Sequence, residues 1–283
     1  MLILSTPFVS GLGEDTFWCW IKREFDNSVY EQKPTYVNPG DVILRYSILG
    51  KSNYFDNSIA LLWELYPEMK QALKSNDYEH IINSITECAE SCKYKTAPTH
   101  LAASYYPSSY NIKILPIGVN TDLFKPIADK ESLRIKYGIP RNRRVLFWAG
   151  TTHPMKGFHH LLEWKNNHPN DYFIIVWKTA GESSYLLGAH NFCHIPQEQI
   201  VELMNCSDAF LSCGILRPFF MVEWEAMACN LPIINMHALA KDYQISNNPR
   251  DDVFQLGWDR YSAKEDWLNY INEIISENTE YNK

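Results

Sequence analysis

The feature that most constrains this chain is an alternation of short apolar strands and helical stretches that runs, breaks at a loop and starts again. Leu2-Ile3-Leu4 reads as a buried strand leading through a Gly-containing loop into a helix around Phe17, Trp18 and Ile21. Asp41 to Arg45 reads as a strand, Ser58 to Leu73 as helix on both sides of Pro67, and Tyr78 to Cys92 as a further helix. A strand near Lys95-Thr96-Ala97, a helix around Leu101 to Tyr106 and a strand over Ile112 to Leu115 follow. Pro116 to Asp129, with Gly118 and Pro126, reads as a loop that carries a domain boundary.

Beyond that loop come strand Arg144 to Ala149, helix Lys156 to Asn166, strand Tyr172 to Trp177, helix Pro196 to Asn205, strand Ala209 to Ser212, helix Val222 to Cys229 and strand Pro232 to Asn235. Such alternation predicts parallel-sheet α/β organisation rather than a helical bundle or a sandwich. The expected domains are 1–118, 119–260 and a terminal segment 261–283, the last comprising an amphipathic helix over Ser262 to Ile275 and a frayed tail from Glu277.

Composition removes several classes of function. With 46% apolar and 21% charged residues among 283, the chain is expected to fold rather than stay disordered. Its net charge of −7 supplies no overall attraction for nucleic acid or an anionic membrane, so a nucleic-acid partner is not favoured. Met1-Leu2-Ile3-Leu4 has no basic leader, and no run of about 18 apolar residues occurs. The expectation is a cytoplasmic protein without a transmembrane segment, with peripheral attachment to a membrane left open. Seven scattered cysteines lack paired C-x-x-C spacing and read as reduced, packed thiols, so no metal site is expected.

Two stretches carry chemistry. Gly150-Thr151-Thr152-His153-Pro154-Met155-Lys156-Gly157-Phe158 lies between a strand and a helix, where α/β proteins bind ligands. The following helix directs backbone N–H groups and a positive dipole at an anion, and Lys156 adds a full charge. A diphosphate fits that chemistry; a plain connecting loop with a solvated lysine fits the segment equally well. The second stretch runs from Gly214 through Arg217, Phe219, Phe220, Met221 and Val222 to Glu225, and on to Ile234. Glu225, in the first turn or so of its helix, complements the dipole or reaches a ligand hydroxyl.

Taken in order, the segments from about Tyr94 to Asn235 resemble retaining glycosyltransferases of family 4. Ile117-Gly118-Val119-Asn120-Thr121-Asp122-Leu123-Phe124-Lys125-Pro126 is similar to the family's N-G-V-D-x-x-x-F-x-P segment, and Val145 to Phe158 to its strand, turn and E-K-G helix start. Asp208 to Ser212 approximates its A-D-x-x-x-x-P-S strand, and Pro218 to Ile234 resembles E-G-F-G-L-x-x-x-E-A-M-A-x-G-x-P-V-V. The resemblance implies a GT-B fold: two Rossmann-like domains with parallel sheets and an interdomain donor cleft. It implies transfer of a sugar from a nucleotide-sugar to a glycan, a lipid-linked or another acceptor, with retention.

Carried over by position, the resemblance makes Lys156 a ligand of the donor diphosphate and Glu225 the ribose-binding second glutamate of an E-x7-E pair. Gly150 and Thr151 fall in the donor turn, the backbone of Phe220, Met221 and Val222 faces the donor, and Gly11 and Gly13 belong to an N-terminal loop closing on it. Two positions depart from the family. Its arginine after the turn glycine is Thr151 here, and the first glutamate of the pair is Arg217. Arg217 is read as a replacement phosphate contact or as a ligand of an anionic sugar. A catalytically inactive, donor-binding or partner-binding descendant is the alternative those departures raise.

The implied chemistry is anomeric substitution through an oxocarbenium-like transition state, with Lys156 and helix N-termini stabilising the leaving diphosphate. No base is identified; among Glu14, Asp15, His100 and His153, His153 has the best position because it shares the turn with Lys156. No cofactor and no metal are expected, since protein cations take the place of a divalent ion. A dinucleotide oxidoreductase, suggested by Gly11-Leu12-Gly13, fits poorly, because Thr16 stands where G-x-G-x-x-G needs its third glycine.

Overall fold

A computed structural model describes residues 1–5, 20–25, 28–30, 38, 41–47, 55–63, 75–152, 156–177, 186–214, 221–236 and 246–280. The chain forms two compact units, one comprising Met1–Gly118 with Arg260–Lys283 and the other Val119–Asp259.

In the first unit, β1 (Leu2–Ser5), β2 (Ser28–Tyr30), β3 (Val42–Tyr46), β4 (Phe55–Leu61), β5 (Cys92–Ala97) and β6 (Lys113–Ile114) form one sheet in the order β2-β1-β3-β4-β5-β6. All its pairings are parallel. Residues 20–24 are helical, as are α1 (Ser75–Glu90) and α2 (His100–Ser104). Thr99 caps α2 by accepting from the Ala102 N–H at 3.1 Å, the usual device for an orphan first-turn donor.

The start of the expected Ser58 helix is instead the central strand β4. Asn57 to Trp63 are all buried, and in the middle of a parallel sheet both faces are covered. A strand there shows an unbroken apolar run, which periodicity does not distinguish from buried helix. Residues 64–73 of that expected helix lie outside the described residues.

Arg45 carries a charge into this core. Arg45 is 1% exposed, donates to Ser91 Oγ at 2.8 Å and lies 3.7 Å from Cys92 Sγ. A hydrogen bond from Cys88 outweighs burial and, with the Arg45 charge, draws the Cys92 thiol down to about 6. The described cysteines are free thiols, all buried except the half-buried Cys193; Cys19 lies outside the described residues.

In the second unit, β7 (Val145–Gly150), β8 (Tyr172–Trp177), β9 (His190–Cys193), β10 (Ala209–Ser212) and β11 (Ile233–Asn235) form a parallel sheet in the order β11-β10-β7-β8-β9. Its helices are α3 (Lys130–Lys136), α4 (Phe158–Asn167), α5 (Gln197–Cys206), α6 (Met221–Ala228) and α7 (Pro249–Gln255). Sequence patterning passes over β2, β9, α3 and α7, each seven residues or fewer, because so short an element shows little period.

The terminal helix α8 spans Arg260–Glu280 and joins the first unit. Trp267 Nε1 donates to the Pro116 carbonyl at 2.9 Å, and Lys264 pairs with Glu24 at 2.6 Å. The tail expected from Glu277 is helical to Glu280, because Glu277 accepts from the Tyr94 hydroxyl at 2.6 Å and is held against β5. No helix among the described residues is long and apolar enough to cross a membrane.

Candidate functional site

In the second sheet β7 lies in the middle, with β8 and β9 following on one side and β10 and β11 on the other. The strand order therefore reverses between β7 and β10. Helices leaving two adjacent strands in opposite directions open a crevice at their carboxyl ends, and ligands of open α/β sheets bind there. Both stretches that carry chemistry in the sequence leave this edge: the Gly150 turn follows β7, and the stretch from Gly214 follows β10.

The β7 turn is shaped by two glycines. A Cβ on Gly150 would stand 2.8 Å from the Trp148 ring, which curls beneath the strand end and meets Trp177 and Phe158 with centroids 5.5 and 6.1 Å away. The same Cβ would lie 3.5 Å from the Lys156 Cβ, so the lysine stem packs over the end of β7. Gly157 has φ +67° and caps α4. A Cβ there would stand 1.8 Å from the Cys213 carbonyl oxygen. Only glycine combines that backbone angle with that approach, and it brings the start of α4 against the residue that follows β10.

On the β10 side, Ser212 is the last strand residue, and its carbonyl accepts from Met236 N–H at 3.1 Å. Its hydroxyl donates to Glu223 Oε1 in the first turn of α6. Glu223 is 5% exposed, whereas Glu225, Met221 and Val222 are half-buried. Two helical residues turn the side-chain direction by about 200°, so a Glu223 drawn in toward β10 directs Glu225 away from it. Trp224 is buried and stacks on Trp258 at 4.9 Å, fixing the other side of the helix.

Gly150, Thr151, Lys156, Met221, Val222 and Glu225 thus stand around the reversal point of one sheet. Gly11, Gly13, His153, Arg217 and Phe220 lie outside the described residues. His100 begins α2 in the first unit. Glu223 and Ser212 were not singled out from sequence; the available signal was an acidic residue flanked by apolar ones in the helix start, Val222-Glu223-Trp224. Among the described residues no group of three or more His, Cys, Asp or Glu is placed to hold a metal ion.

Comparison with solved structures decides the fold. Sucrose-phosphate synthase from Thermosynechococcus elongatus superposes with a TM-score of 0.68 at 16% identity, over 96% of this chain and 82% of its own. Anabaena Alr3699/HepE in complex with UDP-glucose gives 0.69 at 15% identity, over 98% and 99%. The chain has the GT-B fold. WaaG, a glycosyltransferase involved in lipopolysaccharide biosynthesis, gives 0.57 at 15% identity, over 98% and 95%. No family model matches the sequence, and no curated protein matches it.

Proposed function

We propose that this protein is a GT-B glycosyltransferase that takes a sugar from a nucleotide-sugar donor. The observation that carries the reading is the direct backbone approach of Gly157 to Cys213, which joins the Lys156 turn and the end of β10 into one anion-receptive edge. The neighbours add support of a coarser kind: Anabaena HepE was crystallised with UDP, with UDP-glucose, and with UDP and glucose.

In this reading Lys156 and the N-terminal N–H groups of α4 take the diphosphate, and Glu225 takes the ribose. Thr151 contributes a hydroxyl donor, and the backbone over Phe220, Met221 and Val222 lies along the donor. The family resemblance adds Gly11, Gly13, Arg217 and His153 as further candidate donor-site residues. Departure of the diphosphate is helped by protein cations, so turnover continues in the presence of a chelator. Retention, cytoplasmic location and a glycan, lipid-linked or other acceptor belong to the same proposal.

Thr151 and Arg217, where the family has an arginine and a glutamate, favour a second reading: a GT-B shell that binds donor without transferring it. Calorimetric titration with UDP-, GDP-, ADP- and CMP-sugars separates the two. Selective binding of one donor, with hydrolysis or transfer on prolonged incubation, supports the enzyme. Binding without either supports the shell, and no binding by any donor overturns both. Lys156→Ala is expected to weaken binding about tenfold or more, since a charge-assisted contact contributes roughly 1.5–3 kcal/mol.

A further inference from the structure

Ser212 and Cys213 form a pivot on which both helices at the reversal point rest. Gly157, the cap of α4, lies on the Cys213 carbonyl. Glu223, in the first turn of α6, accepts from the Ser212 hydroxyl. The pivot is itself tied to the end of β11 through Met236 N–H. A carboxyl group that is 5% exposed is a costly choice at this place, because burying so polar a group loses its hydration. An apolar pair in place of both Glu223 and Ser212, such as methionine with alanine, would pack there at lower cost. What the carboxyl group provides is direction, since an apolar side chain has no preferred partner on Ser212.

We propose that Glu223 is a positioning residue of the nucleotide-sugar site: clasped by Ser212, it sets the rotation of the first turn of α6, and with it the outward aim of Glu225, relative to the Lys156 turn. The proposal rests on the donor-site reading above. It concerns an interaction that the resemblance does not carry, since position 223 falls within the variable part of the signature.

The test is calorimetric titration of the full chain with UDP, GDP, ADP and CMP, beside thermal unfolding, for wild type, Glu223→Gln, Glu223→Met, Ser212→Ala, the last two combined, and Lys156→Ala. Glutamine keeps an oxygen that accepts from Ser212, so Glu223→Gln is expected to hold nucleotide affinity within twofold of wild type. Glu223→Met, Ser212→Ala and the two combined are expected to weaken it at least fivefold, while the combined variant, which leaves neither group buried without its partner, melts near the wild-type temperature. Affinity lost without stability lost is the signature that a merely structural role does not produce. Unchanged affinity in Glu223→Met and Ser212→Ala overturns the proposal alone, with Lys156→Ala still weakened. Affinity that merely follows melting temperature across the variants overturns it as well. Wild type that binds none of the four nucleotides overturns the donor-site reading and this proposal together.

Discussion

The two edges of the second sheet solve opposite problems with different residues. At the amino ends of β7, β8 and β10, charge closes the structure. Asp208 accepts from Lys130 at 2.6 Å, from Arg134 at 2.8 Å and from the Val145 N–H at 2.8 Å, tying α3 to the starts of two strands. Asp171 takes Arg144 in a two-point contact at 2.7 and 2.9 Å and the Trp164 indole N–H at 3.1 Å. At the carboxyl ends of β7 and β10, closure comes from glycines, close-packed backbone and the Ser212–Glu223 hydrogen bond. One edge is cross-tied by carboxylates; at the other, backbone approach sets Lys156 and the start of α4 beside the end of β10.

That contrast breaks first at Gly157. Gly157→Ala puts a methyl group into the Cys213 carbonyl at a positive φ, and the expected loss is more than about 3 kcal/mol. Urea denaturation measures it; a loss under about 1 kcal/mol would mean that the two strand ends are not held by this contact. Next is Asp208→Ala, which leaves the Val145 N–H and the buried Arg134 without their carboxylate. Because Asp208 is about one-third exposed, roughly 1–3 kcal/mol is expected, with nucleotide affinity unchanged. A change in affinity as large as that of Lys156→Ala would erase the distinction between the edges.

The smallest effect is pH dependence. Burial tends to raise the carboxyl pKa of both Asp208 and Asp171. Hydrogen bonds from Lys130, Val145 and Arg134 in the first, and from Arg144 and Trp164 in the second, outweigh burial and hold both below the ordinary 3.8. Groups depressed in the folded state bind more protons when unfolded, so their contribution is present above about pH 4 and is lost as pH falls through the folded values. Urea midpoints followed downward from pH 5 are expected to fall, and less steeply in Asp208→Asn. Equal slopes would show that this carboxylate is not coupled to folding.

Much of the fold is legible along the chain because each strand and helix writes its own period. Tyr172 to Trp177 and Ala209 to Ser212 are strands over the very residues whose apolar runs mark them. Ser58 is the instructive miss: Asn57 to Trp63 is buried on both faces, and burial on both faces erases the alternation that distinguishes strand from helix. For the site, the Gly150 and Glu225 stretches stand out as turns after strands, whereas Glu223 does not, since an acidic residue in a first helical turn is ordinarily a solvated one.

From the sequence alone come the parallel α/β class, the order of most strands and helices, and the two stretches that follow β7 and β10. Those are local properties, set by periodicity, turn residues and helix starts within a few residues of one another. Which strands are neighbours is different. That β10 lies beside β7 and not beside β9, that Gly157 meets Cys213 some 56 positions later, and that Glu223 faces Ser212 are decisions of packing. They depend on contacts between distant segments, whose closure local propensity does not encode and only the assembled sheet provides.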